Sequence, residues 1–274
     1  MHELWSVQLV KLRRFREIIM SKTTNKVALI TGASAGIGAA AAHELAKSGY
    51  AVVAMARSAD KLEALVEEIR QNGHTAEFAS GDVASFKDMS DAVSLCEEKF
   101  GRLDVLVNNA GLIDPIARIE DSDPAEWSHV VDVNLKGVYY GIRLALPLMK
   151  KQGGGTIINI SSGAATGALE GWSHYCSTKA AVLSLTKCVH KEEAENGIRM
   201  IGLSPGTVAT EMQVQIKQSG INPVSQLDPG VHIPPQWVAQ AIGWLCTPAA
   251  DGYLGTDFLL KTDEGRREVG LPPV

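Results

Sequence analysis

The sequence predicts an α/β fold in which a doubly wound, mainly parallel sheet of seven strands carries helices on both faces. Short apolar runs of buried-strand type alternate with amphipathic helical patterns along residues 26–260. Glycine-rich and polar motifs follow the strands directly, as expected where ligands bind at the carboxyl ends of a parallel sheet. No repeat or linker divides the chain, so residues 21–274 are predicted to form one domain.

Composition excludes several classes of protein. The chain has 274 residues, is 45% hydrophobic and carries a net charge of −5, and nothing in this balance suggests a nucleic-acid surface. No apolar run is long enough to cross a membrane. The cysteines, Cys96, Cys176, Cys188 and Cys246, show neither paired nor metal-ligand spacing. We therefore expect reduced thiols in a cytoplasmic protein without a metal site.

Residues 1–20 differ from the rest. Leucine, isoleucine, tryptophan and phenylalanine are interleaved with one lysine and three arginines, which is typical of a basic amphipathic helix. Such a segment suits a membrane surface or an organelle-targeting peptide, but Glu3 and Glu17 interrupt its positive face. We interpret it as an N-terminal extension that is either disordered or appended to the domain.

The first strand, residues 27–31, leads into a glycine turn. Gly32, Gly36 and Gly38 precede an alanine-rich helix that runs to about residue 48. Glycines let the backbone turn tightly and approach a ligand, and exposed amides at a helix start attract phosphate. The turn therefore predicts a site for a pyrophosphate, although many such turns use glycine for packing alone.

The second strand, residues 51–55, is followed by Arg57 and Ser58. In dinucleotide folds this strand end faces the adenosine ribose, where an acid binds the 2′-hydroxyl and an arginine binds a 2′-phosphate. The acid is missing here, so NADP(H) is favoured over NAD(H). Arg57 could also be a solvated charge at the start of a helix.

Two more strands and their helices follow. Helices are predicted at about 60–71, at 124–150 and around Met89, and strands at 75–79 and 103–107. Asp82 and Val83 follow the third strand, and Asn109, Ala110 and Gly111 follow the fourth. Asn134 stands inside the long helix, where asparagine is unfavourable. It either distorts the helix and binds a water, or faces solvent.

The fifth strand, residues 156–162, ends in serines, and the helix after it carries Tyr175 and Lys179 one turn apart. Hydride transfer to a carbonyl requires a proton donor for its oxygen, and a phenol with a pKa of about 10 needs tuning for that task. A neighbouring ammonium lowers the phenol's pKa. An ordinary helix pair would show the same spacing.

The last third of the chain begins with a strand at 198–203 and the motif Pro205-Gly206-Thr207-Val208-Ala209-Thr210. Residues 211–235 lose periodicity and gain proline and glycine, which predicts a substrate lid. A helix from residue 235 and a strand at 256–260 complete the pattern.

Taken in order, these motifs resemble the short-chain dehydrogenase/reductase family in its compact single-domain branch, over residues 26–258. They are Thr31-Gly-x-x-x-Gly-Ile-Gly38, Asp82-Val83, Asn108-Asn-Ala-Gly111, Asn134, Ser162, Tyr175-x-x-x-Lys179 and Pro205-Gly-x-Val-x-Thr210. The resemblance implies a Rossmann fold and an NAD(P)-dependent oxidoreductase. It also implies a homodimer or homotetramer.

The resemblance implies a role for each matching residue. Tyr175 would be the general acid in reduction and the base in oxidation, and Ser162 would bind the substrate carbonyl. Lys179 would bind the nicotinamide ribose and lower the tyrosine pKa, and Asn134 would hold a water of the proton relay. With Arg57 and Ser58, the cofactor site would comprise Gly32, Ser34, Gly36, Ile37, Gly38, Asp82, Val83, Asn109, Ala110, Gly111, Tyr175, Lys179, Pro205, Gly206, Val208 and Thr210.

Two features depart from the family pattern. Ala35 stands where many NADP-dependent relatives carry a basic residue, and residues 255–266 lack the glycine-rich ending of tetrameric members. That ending, together with Thr210-Glu-Met-Gln213, resembles the relatives grouped with sepiapterin and benzil reductases, which reduce vicinal dicarbonyls.

The leading hypothesis is an NADP(H)-dependent carbonyl reductase acting on a small ketone or vicinal diketone, or the reverse reaction on a secondary alcohol. Trp172 and Met212 are possible pocket walls, and His174 is expected to be structural. The alternatives are a 3-ketoacyl reductase and a non-catalytic dinucleotide-binding sensor.

Overall fold

A computed structural model describes the chain from residue 26 to residue 274. The expected N-terminal extension, residues 1–20, lies outside the described residues. The strands are β1 (Val27–Thr31), β2 (Ala51–Ala56), β3 (Ala76–Ser80), β4 (Val105–Asn108), β5 (Gly155–Ile160), β6 (Ile198–Ser204) and β7 (Asp257–Leu259). The helices are α1 (Gly36–Lys47), α2 (Ala59–Gln71), α3 (Phe86–Phe100), α4 (Pro124–Val131), α5 (Gly137–Lys151), α6 (Ser173–Glu193), α7 (Glu211–Ser219), α8 (Pro235–Leu245) and α9 (Asp263–Glu268).

All seven strands form one parallel sheet in the order β3-β2-β1-β4-β5-β6-β7. The chain first winds outward from β1 to β3 and then returns to place β4 on the other side of β1. The connections that leave the carboxyl ends of β1 and β4 therefore run in opposite directions along the sheet. This reversal of the strand order opens a crevice between them. The predicted doubly wound fold is confirmed.

Helices bury both faces of the sheet. In β1, Ala28 and Ile30 pack into the core under α1, α2 and α8, whereas Val27 and Leu29 pack into the core under α3, α5 and α6. A strand that is buried on both faces needs apolar residues at every position. This is why the strands appear in the sequence as continuous apolar runs.

The prediction of one continuous helix over 124–150 is wrong. It consists of α4, a π-helical turn at Asp132–Lys136, and α5. One extra residue in that turn shifts the hydrogen-bond pattern, and Asn134 lies within it.

The segment 211–235 is more regular than its loss of periodicity suggested. Its first nine residues form α7, which ends at Gly220 in the left-handed conformation (φ 64°). Short 3₁₀ turns at Pro223–Gln226 and Pro229–Val231 follow. A helix of nine residues with one buried side chain, Ile216, gives too little periodicity to be recognised. None of the helices within residues 26–274 is long and apolar enough to cross a membrane.

Candidate active site

The carboxyl ends of the strands surround a cavity of about 560 Å³. Most of the residues predicted from the sequence line it: Gly32, Ser34, Gly36, Ile37, Arg57, Ser58, Asp82, Val83, Asn109, Ala110, Gly111, Ser162, Tyr175, Lys179, Pro205, Gly206, Val208 and Thr210. Two do not, Gly38 and Asn134. The topology has thus brought together motifs that are up to 178 positions apart, from Gly32 to Thr210 (210 − 32 = 178).

Tyr175 lies in the first turns of α6 and is 7% exposed. Burial raises the pKa of its phenol to about 12, while a hydrogen bond with the Ser162 side chain acts in the opposite direction. The net shift is opposite to the lowering expected from Lys179, because desolvation of the phenolate outweighs the opposing contributions. The Lys179 ammonium lies 5.5 Å from the centre of the tyrosine ring.

Ser162 follows the end of β5 and begins a short 3₁₀ turn. Its hydroxyl oxygen accepts a hydrogen bond from the backbone N–H of Ala164 at 3.2 Å. A hydroxyl can donate one hydrogen bond while it accepts another, and the Ser162 side chain also hydrogen-bonds the Tyr175 phenol. β5 itself ends at Ile160, two residues earlier than the prediction.

Lys179 is almost fully buried, with 5% exposure. Burial lowers the pKa of its ammonium to about 8, and the negative charge of Asp257 partly opposes that shift. Its Nζ donates a hydrogen bond to the carbonyl oxygen of Ile160 at 2.6 Å. This bond holds the ammonium at the carboxyl end of β5.

Asn134 is completely buried, so the solvent-facing alternative is excluded. Its amide oxygen accepts from the N–H of Leu112 at 2.8 Å, and its amide nitrogen donates to the Leu112 carbonyl at 2.9 Å. The same nitrogen lies 3.5 Å from the Thr178 hydroxyl. Asn134 therefore joins the π-helical turn to the segment after β4 and to α6.

The glycine turn leaves backbone donors available. The residue that precedes α1, Ala35, forms no side-chain cap, and the first turn of α1 holds no acidic residue. The first N–H groups of this helix therefore lack protein side-chain acceptors and favour an anion. Gly32 and Gly36 adopt positive φ values of 64° and 56°, which other residues rarely adopt.

Gly38 has a packing role and does not line the cavity, so its expected contact with phosphate stays a prediction. A Cβ atom there would collide with the Gly32 carbonyl oxygen and the Asn109 side chain. Asn109 donates its amide N–H to the carbonyl oxygens of Thr31 and Gly32, at 2.9 and 3.2 Å. It thereby fixes the turn to the end of β4 while it also lines the cavity.

One wall of the cavity is apolar. Trp172 and Met212 line it, as expected, together with residues that the sequence did not single out: Leu112, Val133, Ala164, Leu169, Ile216 and Val224. Most of this wall belongs to a separate small apolar cluster between α6 and α7. Lys261 and Glu211 also line the cavity and were also missed. His174 donates from Nε2 to the carbonyl oxygen of Ile113 at 2.7 Å and is fully buried, which fits the structural role predicted for it.

Comparisons with known proteins agree with this geometry. The family model described as short chain dehydrogenase matches residues 26–220. The chain belongs to the short-chain dehydrogenase/reductase family.

Several of its relatives in this family carry names that state an enzyme activity. The chain is 37% identical to a 3-oxoacyl-[acyl-carrier-protein] reductase of Synechocystis, over 86% of this chain and 94% of the relative. It is 32% identical to a cyclohexanol dehydrogenase of an Acinetobacter species, over 89% and 96%. A variant of actinorhodin polyketide ketoreductase, solved with NADPH, matches with a TM-score of 0.80 at 29% identity, covering 86% of this chain and 95% of that one.

Members of the short-chain dehydrogenase/reductase family bind NAD(P), and the cavity fits such a cofactor. The uncapped start of α1 suits its phosphates, and the glycine turn leaves room for them. Lys179 and Tyr175 line the same cavity. No group of three or more His, Cys, Asp or Glu side chains within residues 26–274 could hold a metal ion.

Proposed function

We propose that the protein is an NADP(H)-dependent carbonyl reductase that interconverts a ketone or vicinal diketone and a secondary alcohol. The observation that carries this proposal is the meeting of Ser162, Tyr175 and Lys179 on one cavity whose other end is the glycine turn. A phenol, a hydroxyl and an ammonium at the switch point of a doubly wound sheet suit proton transfer beside a dinucleotide.

The nicotinamide, when bound, supplies hydride in reduction and accepts it in oxidation. Tyr175 donates its hydroxyl proton to the carbonyl oxygen as negative charge develops there, and takes a proton back in oxidation. A phenol with a pKa of about 12 keeps its proton at neutral pH, so Tyr175 is ready to act as an acid. Ser162 hydrogen-bonds the same oxygen and holds it against the phenol.

Lys179 keeps a positive charge under the site at neutral pH, because a pKa of about 8 leaves most of it protonated. This charge favours the phenolate that forms when Tyr175 gives up its proton. Asn134 holds the π-helical turn and α6 in register behind Lys179, and we propose that a water bound there completes the proton relay.

Arg57 supports the preference for NADP(H). It is exposed at the cavity rim, directly after β2, and its guanidinium pairs with no carboxylate among residues 26–274. A planar guanidinium binds a 2′-phosphate through charge-assisted hydrogen bonds, and Ser58 offers a second donor. The ketoreductase neighbour solved with NADPH is consistent with this preference.

A 3-oxoacyl thioester is the second candidate substrate, because a 3-oxoacyl-[acyl-carrier-protein] reductase is among the relatives. The two candidates differ in what must dock outside the cavity. The lid carries a single lysine, Lys217, which lies outside the cavity lining and donates to the Leu227 carbonyl at 3.4 Å. This gives little basic surface for an acidic carrier, so the small ketone is favoured.

We further propose that the protein is cytoplasmic and forms a homo-oligomer.

The proposal is tested by following consumption of NADPH with a vicinal diketone, an aryl ketone and a 3-oxoacyl thioester. Tyr175→Phe removes only the proton donor, so we expect kcat to fall about 10²–10⁴-fold on every substrate that the wild type reduces. Tyr253→Phe is the matched control, since Tyr253 packs against Trp244 and Phe258 away from the cavity. A folded Tyr175→Phe variant with wild-type turnover would contradict the mechanism, and tight NADPH binding without turnover of any substrate would favour the sensor alternative.

A further inference from the structure

We propose that Lys261 forms an anion subsite at the substrate end of the cavity, and that the carbonyl compound bound there carries a carboxylate. This inference rests on the proposed function, because it concerns the substrate of the same site. Nothing in the resemblance assigned a role to Lys261.

Lys261 follows the last strand, β7, by two positions and lines the cavity. Its Nζ lies 3.5 Å from the position that a Cβ atom would take on Gly163, the residue after Ser162. Its Cβ lies 3.2 Å from the corresponding position on Gly206. With a Cα–Cα step of 3.8 Å and a carbon–carbon bond of about 1.5 Å, the ammonium is at most about 9 Å from the Cα of Ser162. A short spacer is therefore enough to join a group at Lys261 to a carbonyl at Ser162.

The Lys261 ammonium lacks a protein partner. Among residues 26–274, no carboxylate lies within 4.0 Å of it and no hydrogen bond engages it. The other lining cation of that end, Lys179, is buried and donates to the Ile160 carbonyl. Lys261 is thus the cation that stays available to a ligand beside Ser162 in the described part of the chain.

The remaining charges of the lining help to locate the anion. Arg57 and Asp82 follow β2 and β3, at the end of the cavity where the adenosine would bind. Glu211 begins α7 on the lid side, and its negative charge disfavours an anion there. A negatively charged substrate group is therefore directed toward Lys261.

The rest of the wall defines the rest of the ligand. Leu169, Trp172 and Ile216 belong to the apolar cluster that lines the same cavity. An apolar cluster and one available ammonium match a compound with an apolar body and a single negative charge. A dianionic phosphate would require a second cation, so a carboxylate fits better.

The test measures kcat/KM with NADPH for keto acids and for their methyl esters, in 2-oxo, 4-oxo and 5-oxo series of equal chain length. The quantity compared is the acid-to-ester ratio of kcat/KM. In Lys261→Gln we expect this ratio to fall about tenfold for the best acid, whereas Lys261→Arg retains most of it. Lys217→Gln is the control, because it removes a lysine charge from the lid without touching the cavity lining. A ratio in Lys261→Gln that equals the wild-type ratio in every series overturns the subsite.

A second measurement separates failure of the subsite from failure of the proposed function. Titration calorimetry gives the affinity of the same keto acids for the protein with NADP⁺ present, whether or not they are reduced. Absence of turnover with at least fivefold tighter binding to the wild type than to Lys261→Gln would support the subsite and contradict the reductase. Equal turnover of esters and acids, with equal affinity of the keto acids for the wild type and for Lys261→Gln, would support the reductase and contradict the subsite.

Discussion

Arg57 is the residue on which the choice between NADPH and NADH depends in our proposal. Its guanidinium is exposed after β2 and has no acidic partner among the described residues. Charge-assisted hydrogen bonds to a phosphate contribute about 1.5–3 kcal/mol, which corresponds to roughly 10–150-fold in affinity. We therefore expect Arg57→Gln to lower kcat/KM for NADPH by this factor and to leave kcat/KM for NADH nearly unchanged.

Steady-state kinetics with both cofactors checks this expectation. Arg143→Gln serves as the control, since Arg143 is exposed on α5 and does not line the cavity. An equal loss with both cofactors would mean that Arg57 supports the fold and does not select the phosphate.

The identities of the site residues could be predicted from the sequence, but their protonation could not. The spacing of Tyr175 and Lys179 placed them on one face of a helix, and the structure brings both to the cavity. Spacing carries no information about burial, and burial moves the tyrosine pKa up to about 12 and the lysine pKa down to about 8. The contribution of Lys261 was missed for a related reason: only the completed sheet brings the end of β7 beside the residue that follows Ser162.

The π-helical turn between α4 and α5 is the element that ties the segment after β4 to α6. Asn134 satisfies both backbone groups of Leu112 from this turn. Removing the amide leaves those two groups without their partner, at a cost of about 2–4 kcal/mol when lost and unsatisfied hydrogen bonds are combined. We expect Asn134→Ala to lower the free energy of unfolding in urea by this amount and to lower kcat as well.

Asn196→Ala is the matched control for that measurement. Asn196 is exposed, and within residues 26–274 its side chain bonds only the Glu193 side chain, so its loss should change the unfolding free energy by less than about 0.5 kcal/mol. A loss below about 1 kcal/mol in Asn134→Ala would show that the amide does not hold the turn together.

Elements with strong periodicity were predictable, and those with local irregularity were not. The buried strands were recognised because both faces of the sheet are covered, which makes each strand a continuous apolar run. The π-helical turn was foreseen only as one alternative for Asn134, a distortion of the helix, because one inserted residue leaves the helical pattern almost unchanged. α7 was missed because Ile216 is its single buried side chain.

Folding of the whole molecule buries the side chain of Lys179 and removes its ammonium from water. Lys179 is 5% exposed, and in the unfolded chain its pKa would be near 10.5. Below pH 8 the ammonium is charged in both states, and the folded state bears the cost of its burial. The active site is therefore assembled at the expense of global stability, as is common where function needs a buried charge.

This cost predicts how stability depends on pH. Between about pH 8 and 10.5 the folded state has released the Lys179 proton while the unfolded state still holds it, so the free energy of unfolding rises with pH. From pH 7 to 9.5 the gain from this group is about 2 kcal/mol. The methionine of Lys179→Met cannot titrate. The free energy of unfolding of the wild type minus that of the variant should therefore rise by that amount between the two pH values, because the contributions of the other titrating groups cancel in the difference. Urea unfolding at the two pH values measures it, with Lys191→Met, an exposed lysine on the same helix, as the control. A difference that stays constant, or falls, would mean that Lys179 keeps its charge in the folded protein throughout this range.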